Sequence, residues 1–291
     1  MHMILTLLKK HQIIVENNVA DKSHSTIKVC GFFIFMKPAF GISIWHLLRR
    51  TLSCTVCSLC SFFLSNNSNP IIKTSIYPTI KKMQINLVNI GKRYNQDWIF
   101  RQCSYQFVAG NAYAITGYNG SGKSTLLQTI AASTNTSEGS IKYSIQQQEI
   151  TADNIYKYLT IAAPYIELVE EMTATEMLDF HQKFKPFFSD ISIPEILRIV
   201  GLYKTANKEI RYFSSGMKQR LKLAQAIFSN VPILLLDEPC SNLDLAGYNL
   251  YHQLITTYCK QKLVIVCSND VEEYKFCTEK ISIENYKKTS K

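Results

Sequence analysis

The feature that most constrains the fold is a glycine-rich segment at residues 117–125, Gly-Tyr-Asn-Gly-Ser-Gly-Lys-Ser-Thr. The segment fits the pattern G-x-x-x-x-G-K-[ST]. Residues 111–116 before it are typical of a buried strand, and residues 124–132 after it predict a helix. A strand, this loop and a helix in that order form the context in which the pattern binds phosphate groups.

The residue types in this loop suit a nucleotide. Glycines allow the backbone to turn so that successive N–H groups point at phosphate oxygens, and the helix N-terminus adds positive charge. Lys123 is expected to reach the β- and γ-phosphates, Ser124 to ligate Mg²⁺ and Thr125 to donate to the α-phosphate. The predicted nucleotide-binding residues of the loop are Gly117, Asn119, Gly120, Ser121, Gly122, Lys123, Ser124 and Thr125.

A second motif, Ile-Leu-Leu-Leu-Asp-Glu at residues 233–238, predicts a buried strand that ends in two carboxylates. Open α/β sheets bind ligands at the carboxyl ends of their strands. We expect Asp237 to hold Mg²⁺ together with Ser124, and Glu238 to polarise the attacking water. An apolar strand that ends in two acids also arises by chance, so this motif gains its meaning from the loop that precedes it.

The remaining pattern predicts strands and helices in alternation. Residues 83–90 alternate apolar and polar side chains as an edge or half-buried strand does, and residues 215–229 have helical spacing. The apolar runs at 231–236 and 263–267 are typical of central parallel strands. These elements predict an α/β fold, and the sequence shows no internal repeat.

A third motif narrows the family. Phe-Ser-Ser-Gly-Met-Lys-Gln-Arg at residues 213–220 begins 24 residues before Asp237. The order of the three motifs resembles the ATP-binding cassette (ABC) ATPases over about residues 83–285, with the third motif a variant of the family signature Leu-Ser-Gly-Gly-Gln. The resemblance implies a P-loop NTPase, an ABC-type nucleotide-binding domain with an α-helical subdomain and an antiparallel β subdomain.

The resemblance also implies further site residues. Ser214, Ser215 and Gly216 would complete the nucleotide site of a second ABC subunit, in a homodimer or a heterodimer. Asp244 would be the acid of the loop that links the two sites. Tyr94 lies about where the family stacks an aromatic ring on adenine, although a tyrosine here is equally consistent with an ordinary strand residue.

Two positions depart from the family pattern. The resemblance implies a glutamine that contacts Mg²⁺ and water at the place where this chain has Pro164. It also implies a histidine where this chain has Asn269, which can donate a hydrogen bond to a γ-phosphate but cannot take up a proton at neutral pH. Glu238 and Asn269 are therefore the predicted catalytic residues, and we expect slow ATP hydrolysis.

The function implied by the resemblance is that of an ATP-binding and ATP-hydrolysing subunit, with ATP and Mg²⁺ as its ligands. Closure of the dimer would drive a separate transmembrane permease, which places the chain in the cytoplasm at the inner face of the cell membrane. The acidic and aromatic stretch at 165–188 occupies the partner-facing region of the family. Two alternatives stay open: a soluble ABC ATPase with an assembly or regulatory role, and a degenerate subunit that binds nucleotide without hydrolysis.

Charge divides the chain at residue 83. Residues 1–82 hold ten Lys/Arg and two Asp/Glu, whereas residues 83–291 hold 22 and 20 and are nearly neutral, which argues against nucleic-acid binding. We expect 1–82 to be an N-terminal extension, either absent from the native protein or disordered, and 83–291 to be the ABC ATPase domain. The hypothesis that Met83 is the biological start competes with a genuine N-terminal appendage.

Two further features concern the extension. Its apolar runs are shorter than the ~20 residues that a spanning helix needs, so we expect no membrane crossing by this chain. Cysteines at 54, 57 and 60 suggest a metal or cluster site, but they lack a fourth ligand at a suitable spacing, and accidental composition is the preferred interpretation.

Overall fold

The computed structural model describes residues 83–287. The predictions that concern residues 1–82 lie outside this range. Nine strands are present among the described residues: β1 (Met83–Tyr94), β2 (Asp97–Val108), β3 (Ala112–Thr116), β4 (Glu138–Ile145), β5 (Gln148–Ile150), β6 (Leu159–Ala162), β7 (Ile233–Asp237), β8 (Leu263–Cys267) and β9 (Glu279–Ser282).

Six α-helices lie between these strands in the range 83–287. They are α1 (Lys123–Ile130), α2 (Ala174–Phe184), α3 (Ile193–Ile199), α4 (Ser215–Phe228), α5 (Leu245–Tyr258) and α6 (Val271–Tyr274). Short 3₁₀ turns at Ala152–Tyr158, Tyr203–Thr205, Ile210–Tyr212 and Ile283–Tyr286 complete the regular structure of the described residues.

The central sheet has the order β6-β7-β8-β3-β9, and all four of its pairings are parallel. Every residue of β7 and β8 is buried. Strands buried on both faces need apolar side chains at successive positions, which explains the unbroken apolar runs that predicted them. The carboxyl ends of β3 and β7 therefore lie at the same edge of the sheet, where the glycine-rich loop and the two acids follow.

The second sheet is antiparallel, with the order β2-β1-β4-β5. Its first strand alternates buried and more exposed residues from Met83 to Leu87, as predicted, but it pairs on both sides and is not an edge strand. The pairing register of this strand with β2 shifts after Leu87.

Two hydrophobic cores pack against opposite faces of the parallel sheet. Ile233 and Leu235 of β7 belong to the core shared with the antiparallel sheet and α1, whereas Leu234 and Leu236 belong to the core shared with α2–α5. Alternate residues of a strand point to opposite faces, so one short strand contributes to both cores. The helical and antiparallel subdomains expected from the resemblance are thus built on the two faces of one sheet.

The predicted elements agree with the structure to within a few residues. The strand predicted at 263–267 matches β8, whereas those predicted at 111–116 and 231–236 are observed at Ala112–Thr116 and Ile233–Asp237. The helices predicted at 124–132 and 215–229 are observed as α1 and α4. Between residues 83 and 287, none of the helices has the length and apolar run that a membrane crossing requires.

Candidate functional site

The glycine-rich loop connects β3 to α1, as the sequence predicts. Gly117, Gly120 and Gly122 all have positive φ, and a Cβ on Gly122 would lie 2.3 Å from Cγ2 of Ile99. Positive φ is costly for residues with a side chain, and the space beside Gly122 is already filled. The glycine pattern is therefore required by the local backbone.

Lys123 begins α1 and is 5% exposed. Its ammonium group donates to the carbonyl oxygens of Gly117 at 2.8 Å and Tyr118 at 3.1 Å, so the charge lies within the loop. The Ser121 hydroxyl is buried and has no hydrogen-bond partner among the described residues. The loop thus presents a cation and an unpaired hydroxyl, both of which suit a phosphate group.

Asp237 ends β7 and is 2% exposed. Burial raises the pKa of its carboxyl group, and the Ser124 hydroxyl, which donates to the carboxylate, lowers that pKa. Oδ1 of Asp237 is buried without a hydrogen-bond partner among the described residues. A carboxylate oxygen that lacks a partner next to a serine hydroxyl is a donor set that Mg²⁺ prefers, and so the residues fit the ion that the sequence predicts.

Glu238 follows Asp237 and is exposed, in contrast to its neighbour. Its φ is +45°, a left-handed conformation that is uncommon for a residue with a side chain. Two backbone hydrogen bonds hold it: its N–H donates to Cys267 O at 2.9 Å, and its carbonyl accepts from Ser241 N at 3.1 Å. The surrounding chain therefore fixes an unfavourable conformation at the predicted catalytic carboxylate.

Asn269 follows β8 and contacts the glycine-rich loop directly. Its Nδ2 donates to Oδ1 of Asn119 at 2.6 Å. The structure thus brings together the loop, Asp237 with Ser124, and Asn269, from three neighbouring strands. Tyr94 lies at the end of β1 and is 48% exposed, with the Lys92 ammonium 5.1 Å from its ring centroid.

The third motif lies at the start of α4, on the helical side of the sheet. Ser214 is the N-cap, and its hydroxyl accepts from Met217 N at 3.2 Å. A Cβ on Gly216 would lie 3.0 Å from Asn242 O, so this helix start packs closely on the segment after β7. Ser215 is the first helical residue, and the N-terminal N–H groups of α4 form an anion-binding end.

Asp244 caps α5 and binds the signature helix. Its Oδ1 accepts from Gly247 N at 2.8 Å and from Arg220 at 3.3 Å. In addition, Gln219 of α4 donates to Pro239 O at 2.6 Å. Asp244 therefore has a structural role within this chain, and the predicted role across a dimer stays a prediction.

Comparison with known proteins identifies the family. The sequence profile described as "ABC transporter" matches residues 100–241. The uncharacterised ABC transporter ATP-binding protein YybJ of Bacillus subtilis (strain 168) is 32% identical over 190 residues, which are 65% of this chain and 86% of the relative. The cytochrome c biogenesis ATP-binding export protein CcmA of Agrobacterium fabrum is 30% identical and is matched over 84% of its length by 60% of this chain. The chain belongs to the ABC transporter ATP-binding family.

Solved structures agree on the fold of this ATP-binding cassette. A putative ABC transporter ATP-binding protein from Pyrococcus furiosus matches with a TM-score of 0.61 at 18% identity, over 70% of this chain and all of that chain. The cassette MJ0796, in a dimeric post-hydrolysis state bound to ADP and Pi, matches with a TM-score of 0.59 at 24% identity, over 68% of this chain and 93% of that chain. These likenesses confirm the fold class, and the family confirms the predicted resemblance.

The cassette contains site residues that the sequence did not predict. Tyr165 follows Pro164, and its hydroxyl is hydrogen-bonded to Gln128 of α1. Burial raises the pKa of Tyr165 to about 12, and the Asp237 charge adds to this shift, so the phenol stays protonated near the predicted metal ligand. The ammonium group of Lys222 in α4 lies 3.3 Å from the Pro164 carbonyl oxygen.

No sequence pattern predicts the contact of Tyr165 with Gln128 or that of Lys222 with Pro164. Tyr165 lay in a stretch interpreted as partner-facing surface, and its only signal was its position beside the departure at Pro164. Lys222 resembled any exposed charge on an amphipathic helix. Both contacts depend on how α4 and the segment after β6 pack at the edge of the parallel sheet.

Proposed function

We propose that this cassette hydrolyses Mg-ATP and uses the cycle to drive a transport partner. The observation that carries the proposal is the arrangement at the edge of the parallel sheet. The buried Asp237 carboxylate is hydrogen-bonded to Ser124 of the loop, and the exposed Glu238 carboxylate lies beside it. One carboxylate would hold a metal ion, and the next would act on water.

The loop would hold the triphosphate. Its backbone N–H groups and the start of α1 favour negative charge, and the Lys123 ammonium would exchange its two carbonyl contacts for the β- and γ-phosphate oxygens. Ser121, whose hydroxyl lacks a partner, would donate to a phosphate oxygen. Tyr94 would stack on the adenine, a contact worth about 1–3 kcal/mol for a base on an aromatic ring.

Ser124 and Asp237 would hold Mg²⁺, which supplies charge neutralisation for the β- and γ-phosphates when bound. Glu238 would orient the attacking water and accept its proton. Asn269, which reaches the loop at Asn119, would donate to the γ-phosphate. Because asparagine cannot take up a proton at neutral pH, Glu238 would bear more of the catalysis than in a cassette with histidine at that place.

The second subunit would supply Ser214, Ser215 and Gly216 from the opposite face of a closed dimer, with Asp244 in the loop between the two sites. A solved relative of this fold is described as the dimeric structure of a bacterial ABC transporter cassette. Contacts to the γ-phosphate would close the dimer, and hydrolysis would remove them. The permease would be a separate membrane protein, with this chain at the inner face of the cell membrane.

The decisive experiment compares the ATPase rates of the wild type, Glu238→Gln and a matched control, Glu149→Gln, in which the exposed Glu149 lies on β5. We expect Glu238→Gln to lose about 100-fold in kcat or more, since general-base catalysis contributes about 10²–10⁴-fold. We also expect this variant to accumulate as a dimer with Mg-ATP, and Glu149→Gln to behave as the wild type.

The degenerate alternative is favoured by two observations, Pro164 and Asn269. It predicts that the wild type binds ATP but hydrolyses it only at a background rate, and that Glu238→Gln has the same rate. That result would overturn the proposed catalytic role of Glu238. The soluble alternative is not favoured by the relatives, which are named as transporter components.

A further inference from the structure

Glu273, on the short helix α6, is a buried carboxyl group that the proposed catalytic steps do not use. It is 3% exposed and follows β8 and Asn269. Burial raises the pKa of Glu273, and the Ser268 hydroxyl and the Cys240 N–H lower that pKa. Its Oε2 is buried without a hydrogen-bond partner among the described residues. Burying a carboxyl group is costly, so a residue at this position needs polar partners that compensate for the cost.

The partners of Glu273 lie in the segment that follows the two acids of β7. Oε1 of Glu273 accepts a hydrogen bond from Cys240 N at 2.7 Å. Cys240 belongs to the turn at 238–241, which the bond from Ser241 N to Glu238 O closes. Glu273 therefore binds the inner N–H of the turn in which Glu238 adopts its left-handed conformation.

Two more contacts join the same parts of the chain. The Tyr251 hydroxyl of α5 donates to the Glu273 carbonyl oxygen at 2.9 Å. The Tyr248 hydroxyl, one turn earlier on α5, donates to Oδ2 of Asp270 at 2.8 Å, and Asp270 directly follows Asn269. The segment after β7 and the segment after β8 are thus joined by three hydrogen bonds, of which the one to Cys240 is buried and involves a carboxylate.

We infer that Glu273 is a positioning residue for ATP hydrolysis, which fixes the turn at 238–241 against the segment that carries Asn269. The inference rests on the proposed function, because it concerns how Glu238 and Asn269 are held relative to each other. With the Cys240 amide bound, the backbone of Glu238 cannot relax from its left-handed conformation without breaking a charge-assisted hydrogen bond. Glu273 itself contacts neither nucleotide nor water in this scheme.

The test uses the full chain with Glu273→Ala, Glu273→Gln and a matched control, Glu272→Ala. Glu272 is the adjacent acid, but it is exposed and pairs with Lys275. Two readouts are measured: hydrogen exchange of the peptides that contain Cys240 and Asn269, and kcat together with KM for ATP. Hydrogen exchange at Cys240 reports directly on its hydrogen bond to Glu273, and it can be measured without ATPase activity.

For Glu273→Ala we expect about tenfold faster hydrogen exchange at Cys240 and faster exchange at 267–271. We also expect kcat to fall about tenfold. Both follow from the loss of a buried hydrogen bond to a carboxylate. KM for ATP should stay within about threefold, since the phosphate contacts are elsewhere. Glu273→Gln keeps an acceptor oxygen for Cys240 and should restore most of kcat. Glu272→Ala should match the wild type.

Unchanged exchange at Cys240, or faster exchange with unchanged kcat, would overturn the inference. A lower melting temperature without a kcat effect would do the same, because it would show a structural role alone. If the wild type does not hydrolyse ATP, the proposed function fails, but the exchange data still test the contact. Faster exchange in Glu273→Ala at both Cys240 and 267–271 would establish that Glu273 joins the two segments. Faster exchange at Cys240 alone would refute it. Tyr248→Phe, which removes one half-buried hydroxyl, tests the same link at 267–271 if Glu273→Ala does not fold.

Discussion

At the scale of single residues, the site is defined by side chains that differ sharply in environment although they are neighbours in sequence. Asp237 is buried and shares a hydrogen bond with Ser124, whereas Glu238 is exposed and left-handed. This difference in environment is consistent with the proposed roles, metal binding for Asp237 and water activation for Glu238. Pro164 stands where the family resemblance implies a side-chain amide, and Tyr165 directly follows it in the chain.

Tyr165→Phe tests whether this phenol takes part in the site. The hydroxyl is protonated at neutral pH, is hydrogen-bonded to Gln128 and lies near Asp237. We expect kcat to fall about threefold to tenfold, the effect of one ordinary hydrogen bond. Tyr156→Phe, at another exposed tyrosine, is the control, and equal rates in both variants would exclude a role for the phenol.

His181 provides a prediction of pH dependence. Its Nε2 lies 2.8 Å from the Ser229 hydroxyl, which donates to Gln225 O. Burial lowers the pKa of His181 to about 4, from an ordinary value of 6.5. Between these two values the unfolded chain binds a proton that the folded chain does not, so acid destabilises the protein by up to about 1.4 kcal/mol per pH unit.

His181→Phe should remove this contribution to the pH dependence of the free energy of unfolding. The ring stacks on Phe187 with centroids 5.5 Å apart, and phenylalanine preserves this contact. Urea unfolding between pH 4.5 and 6.5 measures the free energy of unfolding of both proteins. Parallel curves for the wild type and the variant would contradict the assignment.

At the level of elements, the strands β1, β3, β7 and β8 and the helices α1 and α4 could be predicted because each carries a local pattern. The positions of the other strands and helices in the described range were not predicted. The apolar runs of β7 and β8 and the glycines before α1 were sufficient to locate those elements. By contrast, the contacts of Tyr165 and Glu273 join segments that are distant in sequence. Neither residue type nor spacing encodes such pairs, and so the sequence could not predict them.

Gly122→Ala tests the requirement for glycine before α1. A Cβ there meets Ile99 at 2.3 Å in addition to the strain of a φ of +104°. Gly110→Ala is a matched control, because its φ is +85° but nothing lies within 4 Å of the added Cβ. Each change should lower the free energy of unfolding by about 1 kcal/mol because of strain at positive φ. Gly122→Ala should lower it by about 1–3 kcal/mol more because the added Cβ overlaps Ile99.

Denaturant unfolding of the two variants measures this difference, and ATP affinity should fall in Gly122→Ala alone. Equal free energies of unfolding would show that Ile99 moves aside at little cost. The glycine would then be explained by φ, without a packing requirement.

At the scale of the whole molecule, one parallel sheet connects the two halves of the proposed chemistry. The loop and α1 pack with the antiparallel sheet on one face, and the signature helix α4 packs with the helical core on the other. Strand β7 contributes to both cores and ends in the two acids. A nucleotide bound at this edge, as proposed, would lie close to the elements that would face a second subunit.

The most direct test of the central claim is calorimetric titration of Mg-ATP into the wild type, Lys123→Ala and the exposed control Lys142→Ala. The account predicts that the wild type and Lys142→Ala bind alike. Lys123→Ala should bind about 100-fold more weakly or not at all, since it would lose the cation proposed to contact two phosphates. Full affinity in Lys123→Ala would contradict the account.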